Sequence, residues 1–239
     1  MTGAPRDLVL TGRPASPGLA AGPLVAIGTA AAVREPTADP ASEAAALGAA
    51  IRTAAEDLRI LAAATDAEGG EILAFQVAML EDEALAAPAF AAIAGGEPAD
   101  RAWRAAMDAE MAGYEAAEDE YFRARAADLA DLRDRVLGHL AGVAPAPGVP
   151  AGSVVAAEDL TPSRFLSIDW SRGGAILLAQ GSPSSHVAML ARARGVPMVV
   201  ALGEVVSGAA EALVDGTRGE VVLDPGPEAR AGFARRAEA

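Results

Sequence analysis

The stretch Gly181-Ser182-Pro183-Ser184-Ser185-His186-Val187-Ala188-Met189-Leu190-Ala191-Arg192 follows an apolar run at 175–179. A Gly/Ser/Pro turn between apolar segments predicts a strand, a tight turn and a short helix that begins near His186. A helix N-terminus presents backbone N–H groups and a partial positive charge, which favour phosphate. An imidazole placed there can attack phosphorus through a ring nitrogen, so one interpretation is a histidine that carries a phosphoryl group. The other interpretation is an ordinary helix cap with a histidine in its first turn.

The sequence after this helix, Gly195-Val196-Pro197-Met198-Val199-Val200, predicts a helix end and a second apolar strand. The whole string resembles the active-site signature of the phosphoenolpyruvate-utilising enzymes, in which a phosphohistidine precedes a small-residue helix and Gly-x-Pro. Four more motifs narrow the resemblance to the N-terminal half of enzyme I of the bacterial phosphotransferase system. They lie in family order at 15–20, 79–83, 119–128 and 159–163.

Composition limits the class of protein. Of the 239 residues 52% are hydrophobic but only 4% aromatic, which predicts a core of close helix contacts with few large side chains. The absence of cysteine excludes a disulfide scaffold and a thiolate metal site. No apolar run of membrane-spanning length and no secretory signal is evident, so we expect a cytoplasmic protein with no membrane partner. The net charge of -14 disfavours nucleic acid and is compatible with a basic protein partner, although acidity also simply aids solubility.

Patterning along the chain predicts two domains. Strands are expected at both chain ends, at 7–11, 18–27, 153–157, 175–179, 198–202, 212–214 and 220–223. Helical spacing runs from Ala41 to Leu140, with breaks expected at Gly69-Gly70, Pro88, Gly95-Gly96 and Pro98. The simplest architecture is an α/β domain formed by 1–30 and 146–225, an inserted helical domain at 31–145 and a helical tail or linker at 226–239. The resemblance implies the same arrangement: an α/β phosphohistidine (swivelling) domain interrupted by an all-α helical-hairpin or four-helix-bundle domain that docks the small carrier protein HPr.

The predicted catalytic residues are His186, as the nucleophile, and Thr161. The resemblance implies that the Thr161 hydroxyl fixes the second ring nitrogen of His186, whereas local sequence equally supports a helix N-cap followed by Pro162. Gly181, Ser184 and Ser185 are predicted to bind phosphate, with helix capping as the alternative for the two serines. Here the sequence departs from the family. Ser182 replaces a glycine, and Pro183 stands where enzyme I commonly has an arginine, which removes one cation from the site.

A second set of residues matches the carrier-docking surface of enzyme I. These residues are Gln76, Met79, Leu80, Glu81, Asp82, Glu83, Leu85 and Arg125. A mixed apolar and acidic surface suits a partner with an apolar patch rimmed by basic residues. The alternatives are core packing for the apolar members and a solvated helix position for Arg125. We expect a structural role for His139 and no metal site.

The sequence therefore predicts phosphoryl transfer from His186 to a histidine of HPr or an HPr-like domain. In full-length enzyme I the phosphate comes from phosphoenolpyruvate, bound with Mg²⁺ on a C-terminal barrel, and this chain ends at Ala239, where that barrel would begin. We therefore expect no cofactor on this chain. Two alternatives stay open: the phosphoryl-donor subunit of dihydroxyacetone kinase, and a regulatory binding module with a vestigial histidine. A swivelling domain of pyruvate phosphate dikinase type would lack the helical insertion.

Overall fold

The computed structural model describes residues 7–28, 34–37, 39–115, 120–142 and 148–237; the side chains of 115 and 120–125 lie outside the description. The strands are β1 Leu8–Thr11, β2 Arg13–Ser16, β3 Leu19–Ala26, β4 Val154–Ala157, β5 Ala175–Leu178, β6 Met198–Val200, β7 Glu211–Asp215 and β8 Glu220–Leu223. The helices are α1 Pro40–Ala64, α2 Ala67–Glu81, α3 Glu83–Ala94, α4 Ala99–Glu115, α5 Glu120–Leu140, α6 Pro162–Leu166, α7 His186–Ala193 and α8 Pro227–Ala237.

The chain divides into two compact units. An α/β unit comprises Met1–Gly28, Gly148–Leu160 and Ser167–Ala239, and a helical unit comprises Thr29–Pro147 with Thr161–Leu166. This division places α6 with the helices, whereas the predicted limits assigned 146–225 wholly to the α/β domain. The predicted limits themselves stay a prediction.

The α/β unit is built on one eight-stranded sheet in the order β1-β8-β7-β3-β4-β5-β6-β2. Strands β3 to β6 pair in parallel, while β1, β8 and β7 pair antiparallel on one side and β2 pairs antiparallel with β6 on the other. Every residue of β4 and β5 is buried, as expected for continuous apolar strands covered on both faces. The parallel pairing places the carboxyl ends of β4, β5 and β6 at one edge, and β5 leads from that edge toward His186.

Strand β2 is absent from the sequence prediction, and its composition explains why. It reads Arg-Pro-Ala-Ser, with a proline and no apolar alternation. Proline has no N–H to donate to a neighbouring strand, so within sheets it occurs at edge strands and bulges. Strand β2 lies at the edge of the sheet and has a register shift between Pro14 and Ser16. The other predicted strands are confirmed to within two residues at each end, and the largest difference is at β6, which ends at Val200 rather than at residue 202.

The helical unit packs the apolar faces of α1 to α5 around fully buried side chains that include Leu47, Leu58, Leu73, Trp103 and Met107. Helices α1, α2 and α3 are capped by the carboxylates of Asp39, Asp66 and Asp82, each of which accepts from one or more backbone N–H groups in the first turn. None of the helices in the described part of the chain is long and apolar enough to cross a membrane.

Two predicted helix breaks are wrong. Helix α2 runs through Gly69-Gly70, because the Asp66 carboxylate accepts from the Gly69 N–H at 2.9 Å and starts the helix before the glycines. Pro88 lies inside α3. Both Pro88 and Ala84, the residue one turn earlier, are exposed, so water can satisfy the carbonyl that proline leaves without a donor.

Candidate functional site

The candidate site lies at the carboxyl edge of the parallel strands. Beyond the strand ends, Gln180 N–H donates to the Glu158 carbonyl at 2.9 Å and Ala201 N–H donates to the Gln180 carbonyl at 3.1 Å. The Gln180 side chain also donates to the Glu158 carboxylate at 2.9 Å. These bonds fix the loop that follows β5. Crevices outside the carboxyl ends of parallel strands are the usual ligand sites of open α/β sheets.

Gly181 makes the turn between this edge and α7. Its φ of +90° lies in the left-handed region that side chains disfavour. A Cβ added there would lie 3.4 Å from Leu178 Cδ1 and 3.5 Å from Asp159 Oδ1, which are ordinary contact distances, so the positive φ rather than crowding favours glycine. Glycine at this position therefore lets the chain turn closely over the ends of the strands.

Ser185 is the N-cap of α7. Its backbone is extended, with φ -63° and ψ 156°, and its Oγ accepts from the Ala188 N–H at 3.2 Å. The Ser182 and Ser184 hydroxyls lie 2.7 Å apart in the preceding turn. The capping interpretation of Ser185 is confirmed. Phosphate binding by Ser184 and Ser185 stays a prediction, because the hydroxyls make these bonds within the turn.

His186 is the first residue of α7 and is partly buried. The helix behind it is anchored by Val187, Ala188 and Leu190, all buried. A histidine at this position meets the positive end of the helix dipole, which stabilises negative charge next to the ring. The arrangement can hold a phosphoryl group on imidazole.

Two neighbours of this loop were not identified from the sequence as site residues. Burial raises the pKa of the Asp159 carboxyl, which accepts from the Leu160 N–H at 2.8 Å and lies beside Gly181. Its signal was its place at the start of the 159–163 motif. Arg192 Nη1 donates to the Pro183 carbonyl at 2.8 Å and to the Ala15 carbonyl at 2.6 Å. Both acceptors are backbone carbonyls, so the sequence contains no partner side chain that would have indicated the position of Arg192.

Thr161 belongs to the helical unit, where it caps α6. Its Oγ1 accepts from the Arg164 N–H at 3.3 Å, which confirms the capping interpretation. The Thr161 hydroxyl and the Ser163 hydroxyl, the latter at 2.8 Å, also bond to the buried carboxylate of Asp131. The role of Thr161 toward His186 stays a prediction.

The predicted docking residues separate by burial. Gln76 is fully buried and donates to the Asp131 carboxylate at 3.2 Å, and Leu80 is 4% exposed. The prediction that these two residues contact the carrier directly is therefore corrected to core packing, because both side chains are buried. Met79 and Leu85 are partly buried, and the acidic residues 81–83 are exposed. The Arg125 side chain lies outside the described residues.

His139 links α5 to α1, with its Nε2 2.9 Å from Asp57 Oδ2, in agreement with the structural role expected for it. Among the described residues no group of three or more His, Asp or Glu side chains is arranged to hold a metal ion.

Comparison with known proteins agrees with this geometry. Residues 11–125 match the family described as PEP-utilising enzyme, N-terminal, and residues 149–219 match the PEP-utilising enzyme mobile domain. A phosphoenolpyruvate-protein phosphotransferase of Streptomyces coelicolor is 36% identical over 97% of this chain and 43% of its own length. That of Lactococcus lactis subsp. lactis is 32% identical over 84% of this chain and 37% of its own length. The chain thus spans less than half the length of these relatives.

Solved structures show the same likeness. An NMR structure of enzyme I (nEIt) superposes with a TM-score of 0.70, covering 96% of this chain and 98% of that one at 25% identity. The N-terminal domain of Enzyme 1 - Nitrogen gives a TM-score of 0.59 at 26% identity, with 96% and 100% covered. The two family matches together extend over both units and include the His186 turn. We conclude that this chain belongs to the phosphoenolpyruvate-utilising enzymes and carries their N-terminal and mobile domains.

Proposed function

We propose that the chain transfers a phosphoryl group through His186 to a histidine on a small carrier protein of the HPr type. The observation that carries the proposal is the position of His186 at the first residue of α7, directly after the Gly181 turn at the carboxyl edge of the sheet. The match of this segment to the mobile domain of phosphoenolpyruvate-utilising enzymes supports it. We propose a cytoplasmic location for the same reaction.

The chemistry needs positioning and charge stabilisation more than covalent assistance. When His186 accepts the phosphoryl group, the lone pair of one of its ring nitrogens forms the new N–P bond. The carrier histidine is the leaving group and keeps the electron pair of its own N–P bond, which breaks; transfer to the carrier is the reverse of this step. Each ring keeps a proton on its other nitrogen. Thr161 is the proposed partner of that second nitrogen on His186, and Ser184 and Ser185 the proposed phosphate ligands.

Carrier docking is proposed at the junction of α2 and α3. Its exposed acidic residues are Glu81, Asp82 and Glu83, flanked by the partly buried Met79 and Leu85. Asp82 also caps α3 by accepting from the Ala84 N–H at 2.9 Å, so it holds the junction in shape. Glu83→Lys should weaken binding of a basic-rimmed carrier, most at low ionic strength. Glu110→Lys, on the exposed face of α4, is the control, and equal binding by both variants would exclude this surface.

Phosphoenolpyruvate enters the proposal only through a domain outside this chain. The relatives are named phosphoenolpyruvate-protein phosphotransferases, and we propose that this chain corresponds to their N-terminal half, with Mg²⁺ and phosphoenolpyruvate on the other half. No cofactor is proposed on this chain. A role as phosphoryl donor of dihydroxyacetone kinase or as a regulatory module is not favoured by these relatives.

The test is intact-mass spectrometry of the chain after mixing with phosphorylated HPr at neutral to alkaline pH. The chain contains only two histidines, so His139→Gln is a matched control for His186→Ala. We expect one acid-labile phosphoryl group on wild type and His139→Gln and none on His186→Ala. A phosphoryl group that persists in His186→Ala, or an unmodified wild type beside an active donor, would contradict the proposal.

A further inference from the structure

The departure at Pro183 leaves a question of charge at the site. A phosphoryl group on His186 is a dianion near neutral pH and is stabilised by charge-assisted hydrogen bonds. The sequence has no lysine, so each of its 19 permanently charged cations is an arginine. The turn itself, 181–185, contains none. Any side-chain cation at this site therefore comes from another element.

Arg192, in the last turn of α7, reaches back to this turn. Its Nη1 donates to the Pro183 carbonyl at 2.8 Å, three residues before His186, and to the Ala15 carbonyl of β2 at 2.6 Å. Three residues of chain span at most about 11 Å, so the guanidinium lies in the neighbourhood of the imidazole. These two bonds use two of the five guanidinium N–H groups.

The charge of Arg192 is not neutralised by a carboxylate among the described residues. Three other arginines of the α/β unit do lie against a carboxylate: Arg218 against Asp215, Arg230 against Glu211 and Arg236 against Glu220. Arg192 has carbonyl partners instead, and its side chain is exposed. A cation whose partners are neutral carbonyls keeps its net positive charge, which attracts an arriving anion.

We propose that Arg192 is the cation of the His186 site, a role that rests on the proposed function. It acts in two ways: it holds the Pro183 carbonyl, so that α7 fixes the turn before its own first residue, and it supplies positive charge to phosphorylated His186. Pro183 contributes a rigid backbone and a carbonyl acceptor, while Arg192 at the other end of α7 contributes the charge.

The test compares Arg192→Gln with Arg218→Gln, which removes an exposed arginine of the same unit from the β7–β8 turn. We expect Arg192→Gln to slow phosphoryl acceptance from phosphorylated HPr by about ten- to hundredfold, the size of one charge-assisted bond, and to shorten the half-life of phosphohistidine. Arg218→Gln should match wild type. The half-life is measured only on molecules already phosphorylated, so loss of folded protein does not affect it.

Two further variants separate charge from structure. Pro183→Arg in the Arg192→Gln background should restore most of the rate, because it returns a cation to the turn. Arg192→Lys should stay within about threefold of wild type, since it keeps the charge but cannot bridge both carbonyls as rigidly. Wild-type behaviour of Arg192→Gln, or failure of both Pro183→Arg and Arg192→Lys to support the rate, would overturn the proposal. An unphosphorylated wild type would instead be the failure of the proposed function.

Discussion

Glu43 holds the segment at 34–37 onto the helical unit, and its substitution gives a quantitative test of what stabilises that unit. The side chain is 2% exposed. Its carboxylate accepts from Arg34 Nη2 at 2.9 Å, from the Thr37 N–H and hydroxyl at 2.7 Å each, and from the Ala99 N–H at 2.8 Å. One carboxylate thus joins the segment, the first turn of α1 and the start of α4.

Glu43→Gln keeps the size of the side chain and removes its charge. Breaking a buried ion pair by removing one partner costs about 3–5 kcal/mol. The carboxylate lies just below the surface, covered by Arg34 and Thr37, so we expect the lower end of that range, about 3 kcal/mol of unfolding free energy. The Arg34 guanidinium and the backbone donors hold the pKa of Glu43 far below its usual range. A lowered pKa contributes stability above the unfolded value of about 4.3, and that contribution is lost as the pH falls.

Urea unfolding at pH 7, 5 and 3 measures both effects. Trp103 is fully buried in the helical unit, and a Trp170→Phe background makes it the only tryptophan that reports. The control is Glu56→Gln on the same helix, whose side chain is 61% exposed and should change stability by less than about 0.5 kcal/mol. The deficit of Glu43→Gln should be constant above pH 5 and shrink below it. A deficit under 0.5 kcal/mol at pH 7, or one that grows on acidification, would refute the reasoning.

Substitutions at three other positions test the site and its surroundings. Burial raises the pKa of Asp131, so the contribution of this group to stability is present at low pH and is lost as the pH rises through that pKa. Asp131→Asn should therefore flatten the pH dependence of the unfolding free energy, measured in urea from pH 4 to 8. An unchanged pH dependence would exclude Asp131 as its source. Gly181→Ala should cost about 1–2 kcal/mol in thermal unfolding, because φ is +90°, and an unchanged melting temperature would contradict the turn geometry. Ser185→Ala should lose about 1 kcal/mol and Ser185→Gly only a few tenths. Slow phosphorylation in both variants would assign the hydroxyl to phosphate, because both lack it, whereas a wild-type rate in Ser185→Gly would confine the hydroxyl to capping.

Local patterns were sufficient for most of the elements that form the site. The apolar run at 175–179 and the Gly/Ser/Pro turn predicted β5 and a helix beginning at His186, and both are present. Those signals succeed because strand burial and helix capping depend on near neighbours in sequence. The breaks expected at Gly69-Gly70 and Pro88 failed for the converse reason. A cap placed before the glycines and packing of the helix as a whole outweigh the propensity of single residues.

The buried polar cluster of the helical unit could not have been predicted in this way. Gln76 reaches Asp131 across 55 residues of sequence, and Ser163 reaches it across 32. In the sequence Gln76 stands in a motif that resembles a docking helix, and nothing local distinguishes an exposed glutamine from a buried one. Only the pairing of α2, α5 and α6 shows that its amide satisfies a buried carboxylate.

The motif at 159–163 illustrates how a family signature can join residues with different roles. Asp159 and Leu160 belong to the α/β unit, beside the Gly181 turn, while Thr161 and Ser163 belong to the helical unit and bond to Asp131. Loss of phosphorylation in Thr161→Ala alone would therefore not prove a contact with His186, because the substitution also removes the cap of α6 and a bond to Asp131. Ser163→Ala is the matched comparison, since it removes a bond to the same carboxylate. We expect phosphohistidine half-life to fall in Thr161→Ala and to stay unchanged in Ser163→Ala; equal loss in both would assign Thr161 to the stability of the helical unit alone.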